Sequence, residues 1–227
     1  MTVSRFTAFS DPRLETLLDA LADPLAPTGV HKRAEAKKVH IADSLVALEL
    51  ADVRDARRLA DLGAGAGLPG LVLAIALPEA EVTLVEATGR KCAWIEQTLE
   101  GLGLVNVRVV CARVEELDEA PFDVVTARAL GPLSVVCEYA APLLAEGGVL
   151  VAWKGAVGAE EDTDGLHAAA EVGLEREAVH AVKPYPRSEH RTLHIFRKVA
   201  PTPPRYPRRP GIATKRPLAA PDRRPQR

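Results

Sequence analysis

The residues best suited to chemistry lie in one short stretch, Asp61-Leu62-Gly63-Ala64-Gly65-Ala66-Gly67-Leu68-Pro69-Gly70. Glycines at this density allow a tight turn and let a ligand lie against the backbone. Glu86 follows Gly67 by 19 residues, a spacing at which a carboxylate can accept both hydroxyls of a ribose. Two ligands compete for such a turn. Gly65-Ala66-Gly67-Leu68-Pro69-Gly70 satisfies the dinucleotide pattern. The earlier frame, Asp61-x-Gly63-x-Gly65-x-Gly67, suits S-adenosylmethionine. A carboxylate at Asp61 favours a cationic methionine moiety over a pyrophosphate. Pro69 removes a backbone N–H where an anion would want donors. Both features favour the methyl donor.

The turn works only if a strand delivers it and a helix carries the chain away. The spacing of apolar residues predicts a strand over 57–62, a helix over 68–77 and a strand over 81–86. A helix over 90–103 follows, with Cys92, Ile95, Leu99 and Leu102 on one face. Strands are predicted over 107–111, 122–127, 149–153 and 191–199, with a helix over 133–145 between the third and the second from last. Upstream, helices are expected over 12–21 and 32–50. Strands alternating with helices imply a parallel sheet covered on both faces, with ligands at the carboxyl ends of its strands. Asp61, Glu86, Val114, Glu115 and Arg128 are expected to gather at that edge. Eight prolines between Pro201 and Pro225 argue against regular structure there.

Composition narrows the class. The chain has 227 residues, 47% hydrophobic and 26% charged, enough to bury the core of one domain. No apolar run reaches the eighteen residues of a membrane helix, and Met1 to Ser10 does not read as a secretion signal. Cys92, Cys111 and Cys137 have neither disulfide nor zinc-ligand spacing, so no metal is expected and a reducing cytoplasm is. The net charge of −2 hides a division. From Arg197 onward ten bases face one acid, leaving the first 196 residues at −11. A basic tail on an acidic body suggests a polyanionic partner.

Beyond the glycine turn, the text is similar to one family. His40-Ile41-Ala42-Asp43-Ser44-Leu45, the Gly67-Leu68-Pro69-Gly70 ending, Arg113-Val114-Glu115-Glu116, Thr126-Ala127-Arg128-Ala129, Trp153-Lys154-Gly155, Tyr206-Pro207-Arg208-Arg209-Pro210-Gly211 and Lys215-Arg216-Pro217-Leu218 together resemble the bacterial RsmG (GidB) methyltransferases. The resemblance runs from Thr28 to Leu218 and implies N7 methylation of a guanine in small-subunit (16S) ribosomal RNA. It implies donor contacts at Gly63, Leu68, Val114, Glu115 and Arg128. The family's Trp-Asn motif before the His helix is missing, and the first Trp is Trp94.

The expected fold is therefore α/β, a class I S-adenosylmethionine-dependent methyltransferase. It is Rossmann-like, with a seven-stranded mixed sheet and helices on both faces. The expected organisation is a short N-terminal segment (1–30), a methyltransferase domain (31–199) and a basic, Pro-rich tail (200–227). The candidate donor site is Asp61, Gly63, Gly65, Gly67, Leu68, Glu86, Val114, Glu115 and Arg128. Guanine N7 is an unprotonated lone pair at neutral pH, so no general base is expected, only positioning. Arg128, Lys154 and His40 are the positioning candidates; His40 and Asp43 share a helix side at i, i+3. Trp94 is expected to pack rather than stack on a base. The expected partner is ribosomal RNA, free or in the assembling small subunit, with no membrane. Arg208, Arg209, Lys215 and Arg216 are expected to meet its phosphates, and 219–227 to be disordered. The alternatives are another RNA or small-molecule methyltransferase, an NAD-binding oxidoreductase, or a non-catalytic ribosome- or RNA-binding module of the same fold.

Overall fold

The computed structural model describes residues 8–119 and 121–221. Its centre is a seven-stranded sheet in the order β3-β2-β1-β4-β5-β7-β6. The strands are β1 (Arg58–Leu62), β2 (Glu81–Glu86), β3 (Val107–Cys111), β4 (Phe122–Arg128), β5 (Leu144–Lys154), β6 (Leu174–Ala181) and β7 (Thr192–Lys198). The first five are parallel; β7 runs antiparallel between β5 and β6. The order reverses between β1 and β4, and there an open α/β sheet leaves a crevice at its carboxyl edge.

The first helix, α1 (Pro12–Ala22), starts where the Asp11 carboxylate accepts the Arg13 N–H at 2.9 Å and Pro12 takes the first turn. Leu14, Leu17, Leu18 and Leu21 recur at helical spacing and are buried. Each such leucine contributes roughly 1.5–3 kcal/mol by leaving water. Helix α2 runs from Arg33–Ala36 through a π-helical stretch, Lys37–Ala42, and Asp43–Leu45 to a 3-10 turn at Val46–Glu49. The short α3 (Ala51–Asp55) leads to β1, α4 (Gly70–Ala76) follows the glycine turn, and α5 (Gly89–Leu102) ends at Gly103 in the left-handed conformation. Helices α1, α2, α4 and α5 cover one face. The other face is covered by α6 (Leu133–Ala140) and α7 (Ala159–Glu171).

Three expectations change. The helix over 133–145 ends at Ala140, with a 3-10 turn at Ala141–Leu143, and β5 begins at Leu144. Helix α7 and strand β6 were not predicted. The first opens on three acids, and the second is an edge strand with little buried surface to write an alternating pattern. The tail is not wholly irregular: between Pro210 and Pro217 lies a proline-free stretch, and Ile212–Lys215 closes a helical turn, α8. Ala220 N–H donates to the Asp164 carboxylate at 3.0 Å, so order reaches past 219, while 222–227 lie outside the described residues. Among the described residues no helix is long and apolar enough to cross a membrane, and no cluster of three or more His, Cys, Asp or Glu could hold a metal.

Candidate functional site

A pocket of about 550 Å³ opens at the carboxyl edge, where the sheet reverses. Its floor is the glycine turn, Gly63 to Ala66 with Leu68. Its walls come from five other places: Thr28, His40 on α2, Arg128 at the end of β4, Lys154 at the end of β5 and Arg191 just before β7. Elements far apart in sequence thus place a backbone cradle opposite a basic wall.

The cradle is held from behind. Gly63 and Ala64 N–H groups both donate to Val85 O. Gly65 N–H donates to Glu86 Oε2 at 3.0 Å, and Thr88 N–H to Glu86 Oε1 at 2.9 Å. Glu86 therefore fixes the turn against β2. It is buried behind the turn and not among the residues lining the pocket. Lys91 Nζ lies 3.8 Å from its Oε2, while each oxygen keeps a lone pair beyond these bonds.

Asp61 lies elsewhere than expected. It is 1% exposed, beneath the turn and out of the pocket lining. Its carboxylate accepts the Gly70 N–H that opens α4 at 2.9 Å and the Thr126 hydroxyl at 2.9 Å. Burial outweighs these bonds and the nearby Arg128 charge, and raises its pKa to about 6. Asp61 ties β1, β4 and α4 together and does not present its charge to a ligand.

The basic wall is organised by a second buried carboxylate, Asp43. Arg128 donates from Nη1 to Asp43 Oδ2 at 2.9 Å. Arg191 donates from Nε to Asp43 Oδ1 at 2.6 Å and from Nη2 to Oδ2. Trp153 Nε1–H donates to the Asp43 carbonyl at 2.9 Å. Desolvation pushes the Arg128 pKa down, and the Asp43 charge opposes it. For Arg191, burial pulls downward too, but the bonds to Asp43 and the nearby Tyr185 phenol leave it raised. Sequence reasoning had Arg128 and Asp43 but missed Arg191. Its partner is 148 residues away, and no local spacing signals it.

His40 does not pair with Asp43 by a hydrogen bond. Its Nε2 lies 2.8 Å from Thr28 Oγ1, and Nδ1 has no hydrogen-bond partner among the described residues. Burial, then the Arg128 charge, lowers its pKa to about 4. The ring is neutral near pH 7 and a weak proton acceptor. Lys154 lines the pocket, but its ammonium group is engaged by Glu161 at 2.5 Å and by Gly131 O at 3.0 Å.

Two expected donor residues face another way. Val114 is buried in the face covered by α6. The Glu115 carboxylate turns to the tail, accepting the Tyr139 hydroxyl at 2.9 Å and the Gly211 N–H at 2.8 Å. The tail itself is a strap: Tyr206, Ala213 and Leu218 are buried against the α6 face. Arg208 pairs with Glu138, a carboxylate with 0% exposure, at 2.6 Å. Arg208 therefore does not face outward for phosphate as expected; Arg209, Lys215 and Arg216 remain exposed. Trp94 packs against the core beside α5's other apolar residues.

Comparison with known proteins adds to this geometry. The family model for GidB, rRNA small subunit methyltransferase G, matches residues 17–190. A ribosomal RNA small subunit methyltransferase G of Rubrobacter xylanophilus is 42% identical over 79% of this chain and 72% of its own. One from Chloroflexus aggregans is 41% identical over 84% of this chain and 82% of its own. Among solved structures, a SAM-dependent O-methyltransferase of Thermotoga maritima superposes with a TM-score of 0.58 at 20% identity, covering 82% of this chain and 72% of that one. At that identity the likeness speaks for the fold, a class I methyltransferase sheet.

Proposed function

The chain belongs to the GidB family, rRNA small subunit methyltransferase G, and from that premise we propose that it methylates N7 of a guanine in 16S ribosomal RNA, with S-adenosylmethionine as donor. One observation carries the reading: a glycine cradle backed by Glu86 and a wall of arginine and neutral histidine share one pocket. The residues fit the donor. The cradle leaves the backbone of Gly63, Gly65 and Leu68 open to close approach, whereas Gly67 is buried outside the lining, and Glu86, behind the turn, retains acceptor sites for ribose. Val114 and Glu115 do not line this pocket, so their assignment to the donor site rests on the family resemblance alone. The bound donor supplies an electrophilic methyl group.

The protein's own work is placement. Arg128 donates to Asp43 through Nη1 only, so its other N–H groups are left for an acceptor-rich edge such as guanine O6 and N7 or the donor's carboxylate. Asp43 fixes its direction. His40, neutral because it is buried beside Arg128, adds no charge to repel a cationic donor and takes no proton from N7, which carries none. We place this activity in the cytoplasm, on RNA free or within the assembling small subunit.

Labelled S-adenosylmethionine and 16S RNA from cells lacking this protein test the reading. One N7-methylguanosine per RNA is the expected product, and calorimetry should show donor binding with little affinity for NAD. Methyl label in other RNA alone, or tight NAD binding without donor binding, would overturn it.

A further inference from the structure

A second cavity, about 620 Å³, lies beside the first. It is lined by Phe9, Lys37 and Lys38 together with Pro184, Tyr185 and Pro186. Helix α2 is the shared wall: Val39 and His40 face the first pocket, and Lys38 and Ala42 face this one. Arg191, which closes the first pocket, lies close enough to Tyr185 to feel its phenol. The two cavities thus share α2 as a wall.

The chemistry of the second cavity is that of a base-stacking platform. Two half-buried aromatic residues, Phe9 and Tyr185, line it from separate segments of the chain. Its size falls within the roughly 300–1,000 Å³ of small-ligand sites. The Lys37 ammonium lies 5.4 Å from the centre of the Phe9 ring. The surroundings are basic on a body that is otherwise acidic. From His31 to Lys38 four bases (Lys32, Arg33, Lys37, Lys38) face one acid, Glu35, and from Lys183 to Arg191 three face one, Glu189. Glu15 and Asp19 neutralise Arg33 and Lys37, whereas Lys38, Lys183 and Arg187 have no ion pair among the described residues. The loop that presents Tyr185 is a built turn. Ser188 Oγ donates to Tyr185 O at 2.7 Å, and Arg187 and His190 adopt left-handed backbone, a cost that persists where surrounding structure holds it.

We infer that this cavity binds a nucleobase of the single-stranded RNA next to the methylated guanine, stacked on Phe9 and Tyr185, with Lys38, Lys183 and Arg187 on its phosphates. Single-stranded RNA is recognised by splayed bases on aromatic faces within a positive groove, and the position of the cavity, one wall away from the acceptor pocket, suits a neighbouring nucleotide. The inference rests on the proposed RNA substrate and deepens it.

The test measures RNA binding and methyl transfer separately. Full-length protein, Phe9→Ala, Tyr185→Ala and Tyr185→Phe are compared by anisotropy with a labelled 16S fragment, by ultraviolet crosslinking with peptide mapping, and by methyl transfer. Donor affinity and melting temperature serve as fold controls. The expected result is a nucleotide adduct on the Phe9 or Tyr185 peptide. Each alanine variant should bind RNA about fivefold or more weakly, the low end of what one stacked base contributes. Tyr185→Phe should restore affinity, and KM should rise more than kcat falls. RNA affinity unchanged in both alanine variants, with no adduct at either ring, overturns the inference whether or not methyl transfer occurs. Variants impaired only on ribosomal particles, and normal on naked RNA, would assign the cavity to a protein and also overturn it. Absence of methyl transfer by the unaltered protein counts against the proposed activity alone.

Discussion

Asp61 shows how little a residue's type says about which way it faces. An acid at the end of a strand before a glycine turn reads as a ligand for a cationic methyl donor, yet its carboxylate is spent on Gly70 N–H and Thr126. The consequence is measurable. Its pKa is raised from 3.8 to about 6 by burial. A raised carboxyl favours the folded state in its protonated form, so the contribution is fully present below about pH 4 and lost as pH rises through about 6. A shift of about two units corresponds to on the order of 3 kcal/mol. His40 works in the opposite sense: its lowered pKa gives stability present above its ordinary value of 6.5 and lost as pH falls through about 4. Asp61→Asn should therefore gain stability relative to the unaltered protein between pH 4 and 6.5, with the His40 contribution cancelling in the difference. Urea unfolding at several pH values reads this directly. Because Asp61 does not line the pocket, donor affinity should be nearly unchanged; a large loss would return Asp61 to the donor site.

At the scale of elements, the glycine turn and the strap are held by different physics. A Cβ on Gly70 would run into Leu84 Cδ2 and lie 3.0 Å from the Asp61 carboxylate, so α4 would have to move off β1 and β2. A Cβ on Gly65 would meet nothing nearer than Gly63 O at 3.8 Å, but its φ of +61° is left-handed. Gly70→Ala should thus cost about 1–3 kcal/mol by overpacking, and Gly65→Ala about 1–2 kcal/mol by backbone strain. Only the second acts within the cradle without shifting a helix. Melting curves and donor calorimetry on both separate the two mechanisms. The strap tests a different effect. Arg208→Ala leaves Glu138 buried with only the Arg208 backbone N–H still donating to it, and should cost about 3 kcal/mol. Arg209→Ala, at an exposed position, should stay within about 0.5 kcal/mol. Chemical denaturation of the two variants measures the contrast. Equal, small losses would mean that the strap is only laid on the surface. Deleting the chain from Pro201 would expose Tyr206's and Leu218's binding surface and unpair Glu138, so its effect on RNA would be mixed with an effect on folding.

Across the whole molecule, charge is distributed by face. The body is acidic, the bases that line the pocket are Lys91, Arg128, Lys154 and Arg191, those of α2 (Lys37 and Lys38) line the second cavity, and the strap adds Arg209, Lys215 and Arg216, with Gly211 between them bonded to Glu115. If these three meet phosphates of single-stranded RNA, replacing all three by alanine should lower the salt slope of RNA binding by about 2, since each contact releases about 0.7 of a counterion. Fluorescence titrations across a salt series give the slope, and an unchanged slope would leave the strap a purely structural element. Much of this molecule is legible in its sequence. Alternating strands and helices, the glycine turn and the motifs of its family follow from local spacing, because period, turn chemistry and the residues flanking a strand are encoded within a few positions. The sequence reading covered six of seven strands, and the missing β6 is an edge strand whose exposed residues carry no buried face. The partners of the charged residues were not legible. Arg191 finds Asp43 across 148 residues, Arg208 finds Glu138 across 70, and Asp61 turns inward to Gly70 and Thr126 rather than outward. A buried charge is stable only beside a counter-charge or donor, and which groups are buried together is decided when the sheet closes and the strap docks, not by any spacing along the chain.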